Sequence, residues 1–485
     1  MEFMTSEKRR NAFWLLALAT VFGVSRIFYD ATGITFQAEA IFGYWQMIDP
    51  KLLREDLWRS VFYLHSQPPL LNLFTGIILQ SFPENYEAAF HGAYYLAGIF
   101  LAGAIYSLGI SLRFPNWLAA ALSAWFMVSP ATVLYEHWIM YAYPLAAALT
   151  LSGVLLYQFI KTKKKRWGAV FFLLLAGIAM TWSLFHLIWL SGFVAILYAV
   201  WDERKKVILA ALVPVLLVAG WYAKNAVIAG EFTASSWAGM SLSRIITFRV
   251  SEKERKQMVR SGQLSPFALI PPFRNPNVYL KLLPDTPKTG VPVLDNAETS
   301  LNRRNHHNLV YAEASRYYLM DAMRLIYGKP NIYLRSIVQA GYIYFHSASD
   351  YEFLIVNQAR IATLDQTWNR LFYGQWQSAE SAGERLSALT IEHTGWGIVA
   401  GFITAIAGGI KLLQKDRGRL HEPVNMLALF MVYNILFVTL IGNTLDLGEN
   451  NRFRFTVDPL QLLLFVFVIR NIISRSRKPR VDCAL

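Results

Sequence analysis

The sequence predicts an all-α polytopic membrane protein, with about ten to eleven transmembrane helices, a re-entrant or short second helix and a mostly helical extracytoplasmic insertion. Three observations carry that prediction. Of 485 residues, 55% are apolar and only 16% are charged, too few charges to cover a soluble protein of this length. Mean hydropathy is positive, at +0.32. The apolar residues also gather into runs that approach the roughly 17–25 residues needed to cross a bilayer.

The runs fall at 11–29, 87–111, 117–134, 138–160, 167–182, 184–201, 207–228, 393–411, 424–444 and 456–474. The first follows Lys8-Arg9-Arg10 without a small-residue cleavage site, so it is expected to stay as a signal anchor. The net charge of +14 sits mostly beside these runs: Lys161 with Lys163 to Arg166, Arg204-Lys205-Lys206, Lys411 to Arg419, and Arg475 to Arg480. Short Lys/Arg-rich flanks mark the cytoplasmic side of a membrane protein, which argues against nucleic acid as a partner. The single cysteine, Cys483, allows neither a disulfide framework nor a cysteine metal site.

Segment 68–82 is apolar but holds only fifteen residues. Counted as a crossing, it would put the five cationic residues of 161–166 outside. As a half-span it leaves every basic cluster inside and both termini cytoplasmic. The chain then divides into a transmembrane module over 1–228 with its outer loop 30–67, an extracytoplasmic region over 229–392, and C-terminal helices with a basic tail over 393–485. An amphipathic helix around 331–346 suits the membrane interface.

This topology gathers the polar features on one side. Acids near membrane depth are costly and need a reason: Asp30, Glu39 and Asp49 in the first outer loop, Glu136 in the YEHW turn, and Asp446 and Glu449 in the last loop. GENNRFRF adds Arg452 and Arg454 at i, i+2 spacing, guanidinium groups suited to bidentate binding of a phosphate. In His65-Ser66-Gln67-Pro68-Pro69-Leu70 the two prolines hold His65 and Gln67 at the mouth of the half-span. Irregular backbone at that depth is tolerated where it lines a polar cavity. The adjacent His306 and His307 are expected on a solvated surface, with no third metal ligand.

In order along the chain, these features resemble the C-type glycosyltransferase (GT-C) superfamily, and within it the protein O-mannosyltransferase and lipid A aminoarabinose transferase group. Glu39-Ala40-Ile41-Phe42 resembles the acidic motif of the first outer loop, and Gln67-Pro68-Pro69-Leu70 the Pro-Pro-Leu element. Ser129-Pro130 precedes the second acid, Glu136, and Glu449, Arg452 and Pro459 resemble the late motif. Two positions depart from the pattern: Ala38 stands where the first acid is expected, and Gln67 where a basic residue is expected. The first departure leaves Asp49 as an alternative base.

The resemblance implies an inverting transfer of a sugar from a polyprenyl-phosphate donor to a glycan, lipid or protein acceptor, on the periplasmic face of the inner membrane. It implies catalytic roles for Glu39, Glu136 and Asp49, and donor-phosphate binding by Arg452, Arg454, Lys224, His65 and Gln67. Substrate contacts fall to Tyr44, Trp45, His137, Trp237 and Glu449. No organic cofactor is implied, and a divalent cation is left open. The rival expectations are a transporter or flippase, which would carry ionisable groups at mid-membrane on internal repeats, and a non-catalytic scaffold of a cell-envelope polysaccharide system. Convergence of Glu39 and Glu136 on one cavity separates the enzyme from the scaffold.

Overall fold

A computed structural model describes residues 6–377 and 393–476. The end of the 229–392 region, the tail beyond 476 and Cys483 lie outside the described residues. The described chain is all-α; its only strand-like pairings are isolated bridges, Gln37 with Trp138 and Glu298 with Arg304.

All ten predicted spans are helical. They are α1 (Ser6–Ala31), α3 (Tyr86–Ser111), the pair α4 (Asn116–Val128) and α5 (Pro130–Glu136), α6 (Ala142–Thr162), α7 (Lys165–Ala179), α8 (Leu187–Val200), α9 (Arg204–Ala229), α13 (Trp396–Lys415), α14 (Pro423–Leu445) and α16 (Asp458–Ser476). Six of these, α1, α3, α6, α9, α13 and α14, are each long and apolar enough to cross a membrane. The α4–α5 pair does so only as a span bent by 61°. Its break has a local cause. Pro130 has no amide to donate and pushes Ser129 into an extended conformation (ψ 139°), from which the Ser129 hydroxyl caps the new helix at Thr132 N (3.3 Å).

Between α1 and α3 lies α2 (Leu70–Ser81), of 12 residues. At 1.5 Å per residue it reaches about 18 Å, well short of a bilayer core of about 30 Å. The half-span expected at 68–82 is therefore a short helix.

The turns sort by charge onto two ends of the bundle. At one end Lys163 pairs with Glu203 (3.1 Å) and Arg470 donates to the carbonyl of Arg113 (2.8 Å). The other end carries the first long loop, the described part of the insertion and the loop after α14. Within the insertion, α10 (Ala238–Ile245), α11 (Val310–Gly328) and α12 (Pro330–Tyr344) close over two small cores. One gathers Ile246, Leu264 and Ile343; the other gathers Trp237, Tyr279, Tyr311 and Tyr318.

Candidate donor-phosphate cavity

The loop after α14 builds the site. Gly448 turns it in the left-handed region (φ 121°), and a short helix, α15 (Asn450–Phe455), follows. Asn450 clasps the loop: its amide donates to the carbonyls of Gly442 (3.1 Å) and Asp446 (3.1 Å), while its oxygen accepts from Gly448 N (3.0 Å). Two residues apart on a helix means about 200° around its axis, so the paired arginines of GENNRFRF cannot act together.

Arg452 turns into a cavity of ≈ 480 Å³ and Arg454 turns into the frame. Arg454 donates to Asp458 (3.0 Å) and to the carbonyls of Tyr344 (3.0 Å) and His346 (2.9 Å). Its hydrogen bonds brace the end of α12, and of the two arginines only Arg452 lines the cavity.

Arg452 is almost fully buried. Its Nη2 pairs with Glu449 one turn earlier, and the rings of Tyr141 (5.1 Å), Trp182 (5.2 Å) and Tyr351 (5.4 Å) surround the guanidinium. Its Nε and Nη1 are buried with no hydrogen-bond partner. Buried donors are nearly always satisfied, so two open donors on one cation call for an acceptor. Across the cavity, α10 supplies Arg244, whose guanidinium lies 4.0 Å from Asp446. Burial, with Glu449 adding to it, raises the Asp446 carboxyl to about 6 against the opposing pull of Arg244.

The first long loop and the Pro-Pro-Leu element supply the remaining wall. Tyr44, Trp45, Gln67 and Trp237 line the cavity with Glu449. The Tyr44 hydroxyl meets that of Tyr351 (2.8 Å) and points at Glu449 (3.4 Å). Trp45 stacks on His306 (5.3 Å) and leans on Phe273 (4.7 Å). One side of the cavity is apolar and reaches the outer surface of the bundle through Ile188, 74% exposed, Phe232 and Leu445.

The other sequence-predicted residues stand elsewhere. Glu39 is exposed at the start of a short 3-10 turn, outside the cavity lining. Glu136 is fully buried and engaged by Arg26 through Nε and Nη2 (both 2.7 Å) and by the Tyr143 hydroxyl. Glu39 and Glu136 therefore do not converge. Asp49 caps a helix at Lys51 N (3.0 Å) and holds Ser300 through its amide and hydroxyl (both 2.6 Å). Lys224 donates to the carbonyl of Leu64 (2.5 Å) and lies over Trp221. His137 bonds the carbonyl of Val133 (2.8 Å) and faces Asp30.

His65 is locked between Ser236 (2.7 Å) and the carbonyl of His307 (3.0 Å). Burial lowers its pKa to about 3, so it brings no positive charge to a phosphate. The expected solvated surface at His306 and His307 is also corrected. Both are buried, their pKa values lowered to about 3 and about 4 by desolvation, and His307 ties Ser66 (2.5 Å) to the carbonyl of Met47 (2.9 Å). Among the described residues, no three His, Cys, Asp or Glu side chains group closely enough to hold a metal ion.

Sequence reasoning did not single out Arg244. Its only local signal is a cation in an amphipathic stretch, and the pairing with Asp446 spans some two hundred residues.

No family model and no curated protein matches the sequence. Among solved structures, the chain is similar to the oligosaccharyltransferase AglB from Archaeoglobus fulgidus, in complex with an inhibitory peptide and a dolichol-phosphate. The TM-score is 0.39 and the identity 11%, over 96% of this chain and 52% of that one. The chain thus spans about half the length of that protein. It is also similar to ArnT from Cupriavidus metallidurans, bound to undecaprenyl phosphate (TM-score 0.34, 13% identity, 96% of this chain and 78% of that one).

Proposed function

We propose that the chain is an inner-membrane glycosyltransferase that takes a sugar from a polyprenyl-phosphate donor and passes it to an acceptor on the periplasmic face. One observation carries this reading: the two open donors of buried Arg452 stand at the polar part of a cavity whose other side is apolar and opens among exposed apolar side chains on the outer surface of the bundle. A phosphate with a long isoprenoid tail satisfies both halves at once.

In this reading the acceptor hydroxyl attacks the anomeric carbon and the sugar–phosphate C–O bond breaks. The phosphate leaves with the bonding electrons, and the configuration inverts. Arg452 and Arg244 stabilise the departing charge. Glu449 holds Arg452 in place, and Asp446, whose carboxyl pKa burial raises, takes the acceptor proton as general base. Tyr44, Trp45, Trp237 and Gln67 face the sugar. The basic end of the bundle supports cytoplasmic termini, and a lipid-borne donor suits a site at the opposite end, away from cytoplasmic nucleotide sugars. The acceptor is a glycan, a lipid or a protein.

The scattering of Glu39 and Glu136, taken alone, favours a non-catalytic scaffold. The gathering of Asp446, Glu449, Arg244 and Arg452 in one cavity favours the enzyme. An assay of the purified protein against a panel of polyprenyl-phosphate sugars decides between them. Transfer that disappears in Arg452→Ala supports the enzyme, whereas failure to transfer from or bind any of the panel removes it.

A further inference from the structure

A second cavity, of ≈ 630 Å³, opens at the basic end of the bundle, where the α3–α4 turn, the start of α14 and the end of α16 meet. Three arginines line it: Arg113, Arg419 and Arg470. Two acids face them, but Asp416 is already paired with Arg419 (2.6 Å), leaving Glu422 as the remaining acid in the lining. Arg470 is set in position by its bond to the Arg113 carbonyl (2.8 Å) and by the Phe114 ring beneath it (5.2 Å). Arg113 closes α3 with φ at +62°, a left-handed conformation that glycine takes without steric cost. An arginine held there puts a cation at the rim in place of the favoured residue. The deeper wall is apolar, with Leu112, Phe114 and Phe467, and Trp117 stands exposed on the first turn of α4, as interfacial tryptophans do.

We propose that this cavity binds a phosphate group, carried on the headgroup of an anionic phospholipid or free in solution, with Arg113 and Arg470 as its principal ligands. Cations at the mouth and an apolar wall below match a headgroup and the start of its acyl chains. The site lies at the end of the bundle opposite the donor cavity and stands independently of the glycosyltransferase reading.

The test uses full-length protein, delipidated in a zwitterionic detergent and titrated separately with phosphatidylglycerol, phosphatidylcholine and inorganic phosphate, with bound species read by native mass spectrometry. Phosphatidylglycerol is expected to bind at least tenfold more tightly than phosphatidylcholine. Arg113→Gly with Arg470→Gln is expected to weaken it about 25-fold, roughly fivefold per arginine, leaving phosphatidylcholine unchanged. Arg113→Gly relieves the backbone, so a folding defect does not explain its effect, and Arg166→Gln at another basic cluster serves as a control. Millimolar phosphate that displaces phosphatidylglycerol, and binds with the same arginine dependence, assigns the site to free phosphate; no displacement assigns it to the lipid. Wild-type phosphatidylglycerol binding in the double variant, or an equal loss in Arg166→Gln, overturns the proposal.

Discussion

Replacing Arg452 by alanine removes the only guanidinium in the donor cavity that has open, buried hydrogen-bond donors. Loss of one preorganised group facing developing negative charge lowers a rate by about 10²–10³, or roughly 2.7–4 kcal/mol. That is the fall in kcat/KM expected of Arg452→Ala, in a transfer assay with the preferred polyprenyl-phosphate sugar. Stability suffers less. Glu449 loses its partner, but its side chain is 19% exposed and lines the cavity, so water replaces part of the lost interaction. The cost is about 1–2 kcal/mol, below the 3–5 typical of breaking a fully buried pair. Arg452→Lys keeps the charge but not the planar fork, and should fall about tenfold short of wild type. If Arg452→Ala folds and transfers within threefold of wild type, no phosphate sits at this guanidinium and the proposed site is wrong.

The frame and the cavity respond differently. Arg454→Ala strands Asp458 and two carbonyls; it should cost about 3–5 kcal/mol in thermal unfolding and leave donor KM nearly unchanged in the folded fraction. Glu136→Gln likewise uncovers the charge of Arg26, and should lower stability by about 3 kcal/mol, with partial recovery in Arg26→Gln/Glu136→Gln. Glu39→Gln, on an exposed side chain, should leave both transfer and unfolding within error of wild type. As a base, Asp446 works deprotonated, so transfer should be half-maximal near pH 6, level off about one unit above it and approach a tenfold fall per pH unit well below it. Because Arg244 pulls that pKa down, Arg244→Gln should move the acid limb of the pH–rate profile upward. The Asp446 and Glu449 carboxylates each already face an arginine, so transfer should persist in excess chelator; loss restored by a divalent ion would contradict this.

The helical frame was legible because crossing a membrane is a one-dimensional constraint. Apolar run length located a helix at every expected span, six of them long enough to cross by themselves, and the fifteen-residue run at 68–82 is a short helix. The bend at Ser129-Pro130 was legible too, since proline acts on its immediate neighbours. Much of the site was not, because burial is decided in three dimensions. Glu136 looked like an acid awaiting a substrate until Arg26, 110 residues away, proved to hold it. His306 and His307 looked solvated among charges, yet the insertion folds them against the first long loop. Arg452 and Arg454 looked like a pair when spacing alone was counted, and became opposites once the segment was helical. Tyr44, Trp45, Gln67, Trp237 and Glu449 share the cavity lining, each beside a chain reversal at the polar end of the bundle.

The brace made by Arg454 has a mechanical consequence. It rivets the loop after α14 to the last turn of α12, and Tyr333 of α12 adds a second rivet at the carbonyl of Thr444 (2.8 Å). The stretch carrying Arg452 is therefore tied to α12 near both of that helix's ends, so a substitution that frees Tyr333 or Arg454 is expected to loosen the setting of Arg452 as well.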